Sequence, residues 1–152
     1  MKIKIIWVGK NREAWLKDAL ADYIARVRRY MPLELMEIKD EKGAGTEEMR
    51  RRECERISRH ISPGSMVILL DERGEQMDSC ALGSFIARQR DMGVGELVFV
   101  IGGAYGFTDE FRNGLKLLSF SKMTFTHQMI RLFLMEQIYR AFTIINGEPY
   151  HH

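Results

Sequence analysis

The chain has 152 residues, of which 45% are hydrophobic and 29% are charged, which are ordinary values for one globular domain spanning 1–152. The 23 lysines and arginines exceed the 21 acidic residues by a net charge of only +2, which excludes a protein that holds nucleic acid by bulk charge alone. The apolar part of the N-terminal "MKIKIIWVGK" is too short for a signal peptide or a spanning helix, so we expect a cytoplasmic protein without a membrane anchor.

Apolar runs alternate with helical patterns along the first half of the chain. "IKIIWVG" predicts a strand at 3–9, and apolar residues recurring at three and four over 13–30 predict a helix. "LELMEI" alternates like a second strand, and "DEKGAG" is typical of a loop. Thr46 is then expected to cap a charged helix that reaches about residue 61.

The second half repeats the same alternation. "MVILLD" predicts a strand ending at Asp71, "ERGEQ" a loop, and 78–92 a helix. "ELVFVI" predicts another strand, followed by glycines and a short helix to about 113. "LKLLSFS" predicts a last strand at 115–121, and 127–145 a long last helix before the tail "NGEPYHH". Such an order predicts an α/β fold, with a mostly parallel sheet and helices on both faces.

Two segments at predicted strand ends point to a ligand. "VFVIGGAYGFTDEF" at 98–111 stops a buried strand on two glycines, and in parallel sheets ligands bind beyond the carboxyl ends of strands. The glycine spacing matches neither a dinucleotide fingerprint nor a P-loop, so a plain turn remains an alternative. "LLSFSKMTFTHQ" at 117–128 sets hydroxyls among apolar residues, which favours a loop that offers amides and carbonyls to a ligand. Helix capping by Thr124 or Thr126 explains only part of that pattern.

These segments, with "VILLDERG" and the closing "GEPYHH", resemble the large-subunit ribosomal RNA methyltransferase H family of the SPOUT class over nearly the whole chain. The resemblance implies a parallel α/β sheet with a C-terminal trefoil knot, a homodimer, and S-adenosylmethionine as methyl donor. It also implies methylation at N3 of a pseudouridine in 23S ribosomal RNA on the assembled ribosome. The family usually has proline before the histidine, where this chain has Thr126, and a basic residue at the end, where it has His152.

The resemblance also implies the cofactor contacts. They carry over onto Leu70, Gly102, Phe120, Ser121, Lys122, Met123, Thr124 and Phe125. Gly102 is expected to let the ligand approach the backbone where a Cβ would collide. No metal is expected, because the sulfonium is already an activated leaving group and the 4 histidines lack zinc spacing.

Catalytic candidates come from the last helix and the tail. The N3 imide proton must leave, so we expect a base or a cation near the acceptor. The candidates are His127 at the helix start, Arg140 with Glu136 as its partner, Tyr150 as a stacking ring, and His151 as a titratable group. Whether His151, water or no base takes the proton stays open.

Other readings stay open as well. The basic runs at 25–30 and 50–60 are either solvated helix faces or tracks for RNA. The last helix is apolar around most of its circumference, which predicts a dimer interface. The alternatives to the methyltransferase are a ribosome-binding dimer without activity and a SPOUT enzyme acting on another RNA.

Overall fold

The computed structural model describes residues 1–152 and contains a single five-stranded sheet. The strands are β1 Lys2–Val8, β2 Leu33–Ile38, β3 Met66–Gln76, β4 Glu96–Ile101 and β5 Lys116–Ser119. The helices are α1 Ala14–Val27, α2 Thr46–Ser58, α3 Ser79–Asp91, α4 Asp109–Arg112 and α5 His127–Ile145. All strand pairs are parallel, in the order β2-β1-β4-β3-β5, and the predicted α/β fold is confirmed.

Alternate side chains of the central strands divide the core into two layers. One layer packs Ile5 and Phe99 against α1, α3 and α5, and the other packs Ile6 and Val100 against α2 and the segment around Phe107. Both faces of β1 and β4 are therefore buried, which is why these strands are apolar without interruption. None of the helices combines the length and apolar character that crossing a membrane requires.

Several predicted boundaries are wrong at strand and helix ends. β3 does not end at Asp71 but runs on to Gln76, so "ERGEQ" belongs to a strand rather than a loop. Thr46 was expected to be the N-cap of α2, but Gly45 occupies the N-cap position and no side chain caps the helix. The helix ends at Ser58, before the predicted end at about residue 61. β5 ends at Ser119, two residues before the predicted end, because the following residues turn away as a loop. Charged and glycine residues in 72–76 hid the strand extension.

The extension of β3 bends across β5. Leu118 pairs with Leu70 and again with Glu75, so the residues between them curve across the edge strand. A Cβ on Gly74 would lie 2.5 Å from the backbone nitrogen of Leu118 and 2.6 Å from the carbonyl carbon of Leu117. Only a glycine lets the two main chains pass this closely. The close approach holds β5, and the loop that follows it, against the end of β3.

We expect Gly74→Ala to lower the free energy of unfolding by roughly 3 kcal/mol, because backbone atoms, unlike flexible side chains, cannot move aside for the methyl group. Chemical denaturation monitored by circular dichroism measures the change. Gly95→Ala is the matched control, since a Cβ there meets nothing within 4 Å. A reduction at Gly74 no larger than at Gly95 would contradict the role given to the crossing.

Candidate cofactor cleft and tail cluster

A cleft of about 420 Å³, a volume suited to a small molecule, opens at the carboxyl ends of β4 and β5 and beside residues 70–72 in the middle of β3. Most of the predicted cofactor residues line this cleft: Leu70, Gly102, Phe120, Ser121, Met123, Thr124 and Phe125. Lys122 belongs to the same loop, but its exposed side chain is not part of the lining. The cleft thus brings together residues from three separate parts of the sequence.

The loop between β5 and α5 is shaped by its own hydroxyl groups. Ser119 Oγ donates to the carbonyl of Ser121 at 3.0 Å, and Ser121 Oγ accepts from the amide of Met123 at 3.0 Å. The Thr126 hydroxyl caps α5 by accepting from the amide of Met129 at 3.3 Å. The amides of Lys122, Thr124 and Phe125 have no partner within the chain. They are donors available to a ligand, set among apolar walls.

The glycine turn after β4 serves packing within the protein first. A Cβ on Gly102 would lie 3.1 Å from the Phe107 ring, and a Cβ on Gly103 would lie 2.7 Å from Oε2 of the buried Glu53. Gly106 has a φ of +72°, a left-handed conformation that disfavours other residues. The missing side chain of Gly102 also leaves room for Phe107, and the prediction that it lets a ligand approach the backbone stays a prediction. Gly102 still lines the cleft through its backbone.

An ion pair that the sequence reasoning missed braces one wall. Arg112 Nε donates to Asp71 Oδ2 at 2.7 Å, and both side chains are largely buried. Asp71 Oδ1 also accepts from the amide of Arg73 at 2.9 Å, which fixes the bend of β3 after Leu70. The pair joins the middle of β3 to α4. The only sequence signal was an acid at the end of an apolar strand.

His127 lines the same cleft, one turn of α5 from the buried Arg131. Arg131 is 1% exposed and has no acidic partner; it donates to the carbonyl of Val8 and to Asn11 Oδ1, each at 2.6 Å. Burial, and then the charge of Arg131, hold the pKa of His127 below its usual value, against the smaller opposing effect of Asp40. The lowered pKa favours the neutral form of His127 at pH 7. Sequence reasoning missed Arg131, although an arginine on an apolar helix with no acid three or four residues away was the available signal.

A pH dependence of stability follows from the lowered pKa of His127. The unfolded chain binds a proton at a higher pH than the folded protein does, so stability falls as pH drops below about 6.5. The slope contributed by one proton is at most about 1.4 kcal/mol per pH unit. We expect His127→Gln to flatten the dependence of the unfolding free energy on pH below about 6.5. His152→Gln, at the exposed terminus, should keep the wild-type slope, and equal slopes in all three proteins would contradict the assignment.

The tail folds back on α5 as a cluster around Glu136. Glu136 Oε1 accepts from Arg140 Nη2 at 2.5 Å and from the Tyr150 hydroxyl at 3.0 Å. The Arg140 guanidinium lies 4.7 Å from the centre of the Tyr150 ring, and its Nη1 lies 3.4 Å from Nδ1 of His151. Burial, then the hydroxyl of Tyr23 and the carboxylate of Glu136, raise the pKa of Tyr150. The Arg140–Glu136 pair expected from the sequence is present.

Within one chain the tail cluster and His127 lie on opposite sides of a shared wall. His151 lines a second groove with Glu136 and Cys80, and Phe120 and Phe125 belong to the walls of both cavities. The structure therefore brings His127 to the cofactor cleft and gathers Arg140, Tyr150 and His151 elsewhere. No group of three or more His, Cys, Asp or Glu side chains is placed to hold a metal ion.

The basic runs noted in the sequence are largely neutralised. On α2, Arg50 pairs with Glu47, and Arg51 and Arg52 both pair with Glu48. Arg26 on α1 pairs with Asp22. Because the α2 cations are held by acids one helical turn away, the structure favours the solvated helix face for the 50–60 run. In the 25–30 run only Arg26 is paired, and Arg28 and Arg29 are exposed without an acidic partner, so the RNA track stays an alternative there.

A family model described as "Predicted SPOUT methyltransferase" matches residues 1–151, so the chain belongs to the SPOUT methyltransferase family. Similar proteins define the family within this class more closely. It is 64% identical over 152 residues to a protein of Pelobacter propionicus, with the full length of both chains covered. It is 58% identical over 153 residues to one of Geotalea uraniireducens, also at full length of both. A protein of Geobacter sp. strain M21 is 57% identical, with 100% of this chain and 99% of that protein covered. All three are named ribosomal RNA large subunit methyltransferase H, and the chain is a member of that family.

Proposed function

We propose that the protein transfers a methyl group from S-adenosylmethionine to N3 of a pseudouridine in 23S ribosomal RNA, acting on the assembled ribosome. The observation that carries the proposal is the cleft between the carboxyl ends of β4 and β5 and residues 70–72 of β3, in which the family's cofactor segments meet. Relatives with 57–64% identity carry a name with the same activity class and the same large-subunit RNA.

The cleft suits an adenosine-bearing cofactor. The unpartnered amides of Lys122, Thr124 and Phe125 match the acceptors on the edge of an adenine ring, and Leu70 and Phe120 provide apolar walls. The cofactor supplies an activated methyl on a sulfonium, so no metal is needed. The chain's own task is to hold that methyl in line with the attacking nitrogen and to keep water away.

Two groups of residues serve the acceptor. The neutral His127 lies in the cleft and can accept a proton, which suits it to take the N3 proton directly or through water. The Arg140–Tyr150–His151 cluster offers a cation for the developing imide anion and a ring that can stack on the base. The cluster lies outside its own chain's cofactor cleft, so we assign it to the cleft of a second subunit.

The homodimer forms through α5 and its neighbouring loop. Leu132, Phe133 and Tyr139 remain half-buried, and Phe125 is 39% exposed. A second copy related by two-fold symmetry would cover these apolar side chains. The curved 70–76 segment is compatible with the C-terminal trefoil knot of the family. This segment crosses β5, and α5 then packs between α1 and α3. All of this belongs to one domain over 1–152.

The reaction is tested with S-adenosylmethionine labelled in its methyl group. Intact ribosomes from a strain lacking the homologous gene should accept label at one pseudouridine of 23S RNA, mapped by mass spectrometry of RNA fragments. Naked 23S RNA should be a much poorer substrate, because a net charge of only +2 is too small to hold bare RNA against salt. Absence of label from both substrates would favour the ribosome-binding dimer without activity, and label in another RNA would favour the remaining alternative.

A truncated chain tests the tail. Removing residues 150–152 should abolish methyl transfer, because the base no longer has its stacking ring and Arg140 is no longer held beneath Tyr150. The affinity for S-adenosylmethionine should fall less than about tenfold. Calorimetry and the labelling assay measure the two effects separately.

Mixing two inactive chains tests whether the tail acts across the dimer. Thr124→Trp places a ring in the cleft at an exposed position, so it should block the cofactor without unfolding the chain. A mixture of this variant with the truncated chain forms dimers in which one intact cleft faces one intact tail, and activity should return in part. A mixture as inactive as either variant would assign the tail to its own chain's cleft.

A further inference from the structure

The edge of the sheet that holds the cleft also gathers exposed apolar side chains. Trp15 is 52% exposed, Tyr105 53%, and Met123 76%. Trp15 lies in the first turn of α1, directly after the loop that leaves β1, and β1 runs parallel to the strands that end at the cleft. Met92 is another exposed large apolar residue, but it lies at the C-terminal cap of α3, on the edge of the sheet opposite the cleft.

Exposed cations without acidic partners lie beside Trp15. Lys10 and Arg12 are exposed and make no ion pair, in contrast to the paired arginines of α2. Glu13 is the single acid of the 9–15 segment, so the cations outnumber it. Lys10, Arg12 and Trp15 together are called the Trp15 patch.

The Trp15 patch is tied directly to the cleft. Gln128 Nε2 donates to the carbonyl of Lys10 at 3.1 Å, and Arg131 Nη1 donates to Asn11 Oδ1 at 2.6 Å. Gln128 follows His127, which lines the cleft. The first turn of α5 therefore separates the patch on one side from the loop with the exposed, unpaired Lys122 on the other. A strand lying over the cleft would meet free cations on both sides.

We propose that the Trp15 patch binds the single-stranded RNA next to the target nucleotide, with the Trp15 ring stacked on a flanking base and Lys10 and Arg12 on phosphates. The assignment rests on the proposed RNA methyltransferase function. A base presents a flat apolar face and its phosphate an anion, which is the combination that an exposed indole beside two free cations fits. A protein partner would be expected to bring acids to Lys10 and Arg12 and a pocket for Trp15, and a second copy of this chain would set like charges against each other.

The experiment compares Trp15→Ala with Met92→Ala, and the double variant Lys10→Gln/Arg12→Gln with Arg88→Gln. Met92 and Arg88 are exposed, and Arg88 is unpaired and lies near the C-terminal end of α3, at the far edge. Trp15→Ala should raise the KM for ribosomes about tenfold, as expected when one stacked base is released, with kcat little changed. Trp15→Phe should keep the KM for ribosomes close to the wild-type value, because a phenyl ring can also stack on a base. The double variant should reduce the salt slope of ribosome binding, measured by co-sedimentation, by about 1.4, or about 0.7 for each phosphate that is no longer neutralised.

Four outcomes distinguish the possibilities. The proposal is supported if the patch variants keep their S-adenosylmethionine affinity in calorimetry and bind ribosomes more weakly than the Met92 and Arg88 control variants do. A Trp15→Ala enzyme that behaves like Met92→Ala overturns it while leaving the methyltransferase assignment intact. Dissociation of the dimer in light scattering caused by Trp15→Ala also overturns it, because the patch would then be a subunit interface. Failure of the wild-type protein itself to bind or methylate ribosomes would instead reject the proposed function.

Discussion

The passage of the β3 extension over β5 at Gly74 is the constraint on which the rest of the site depends. A side chain at residue 74 would collide with the backbone of Leu117 and Leu118, so the two main chains are in direct contact. This contact holds β5 in one position beneath residues 70–76. The position of β5 determines where the segments after it lie. These are the loop between β5 and α5, the start of α5, and the wall formed by Phe120 and Phe125 between the two cavities. A main-chain contact is also less compliant than side-chain packing, so the cleft is built on rigid backbone at its closest point.

Two arginines on α5 show how one helix serves two sites. Arg131 is buried without an acid, and its hydrogen bonds to Val8 and Asn11 attach the loop after β1 to the first turns of the helix. A buried cation of this kind is costly, and removing it would leave a cavity and unsatisfied acceptors. Arg140 lies two and a half turns later, stays partly exposed, and shares Glu136 with Tyr150. The first arginine fixes geometry inside the chain, and the second remains available at the surface.

Strong local signals made most of the fold predictable. Strands such as "ELVFVI" at 96–101 and the helix at 127–145 were predicted with the observed bounds, since long apolar runs and helical periodicity are local properties. The β3 extension was missed because its pairing with β5 is non-local and its residues are charged. The site was predicted through family resemblance at Leu70 and the 120–125 loop. Glu53, Arg112 and Arg131 were not, because each acts through a partner distant in sequence that only the folded chain brings near.

The separation of His127 from the Arg140 cluster has an electrostatic rationale in the proposed reaction. The methyl donor carries a positive sulfonium, and a free guanidinium fixed in the same cleft would oppose its binding through like-charge repulsion. The cations that do line the cleft are engaged: Arg112 by Asp71, and Arg50 by Glu47 and the carbonyl of Tyr105. The histidine there is neutral, for the physical reason that burial and Arg131 disfavour its charged form. The cation needed by the imide anion is thus kept on a different surface, restrained by Glu136, and a second subunit can bring it to the acceptor once the cofactor and the RNA base are in place.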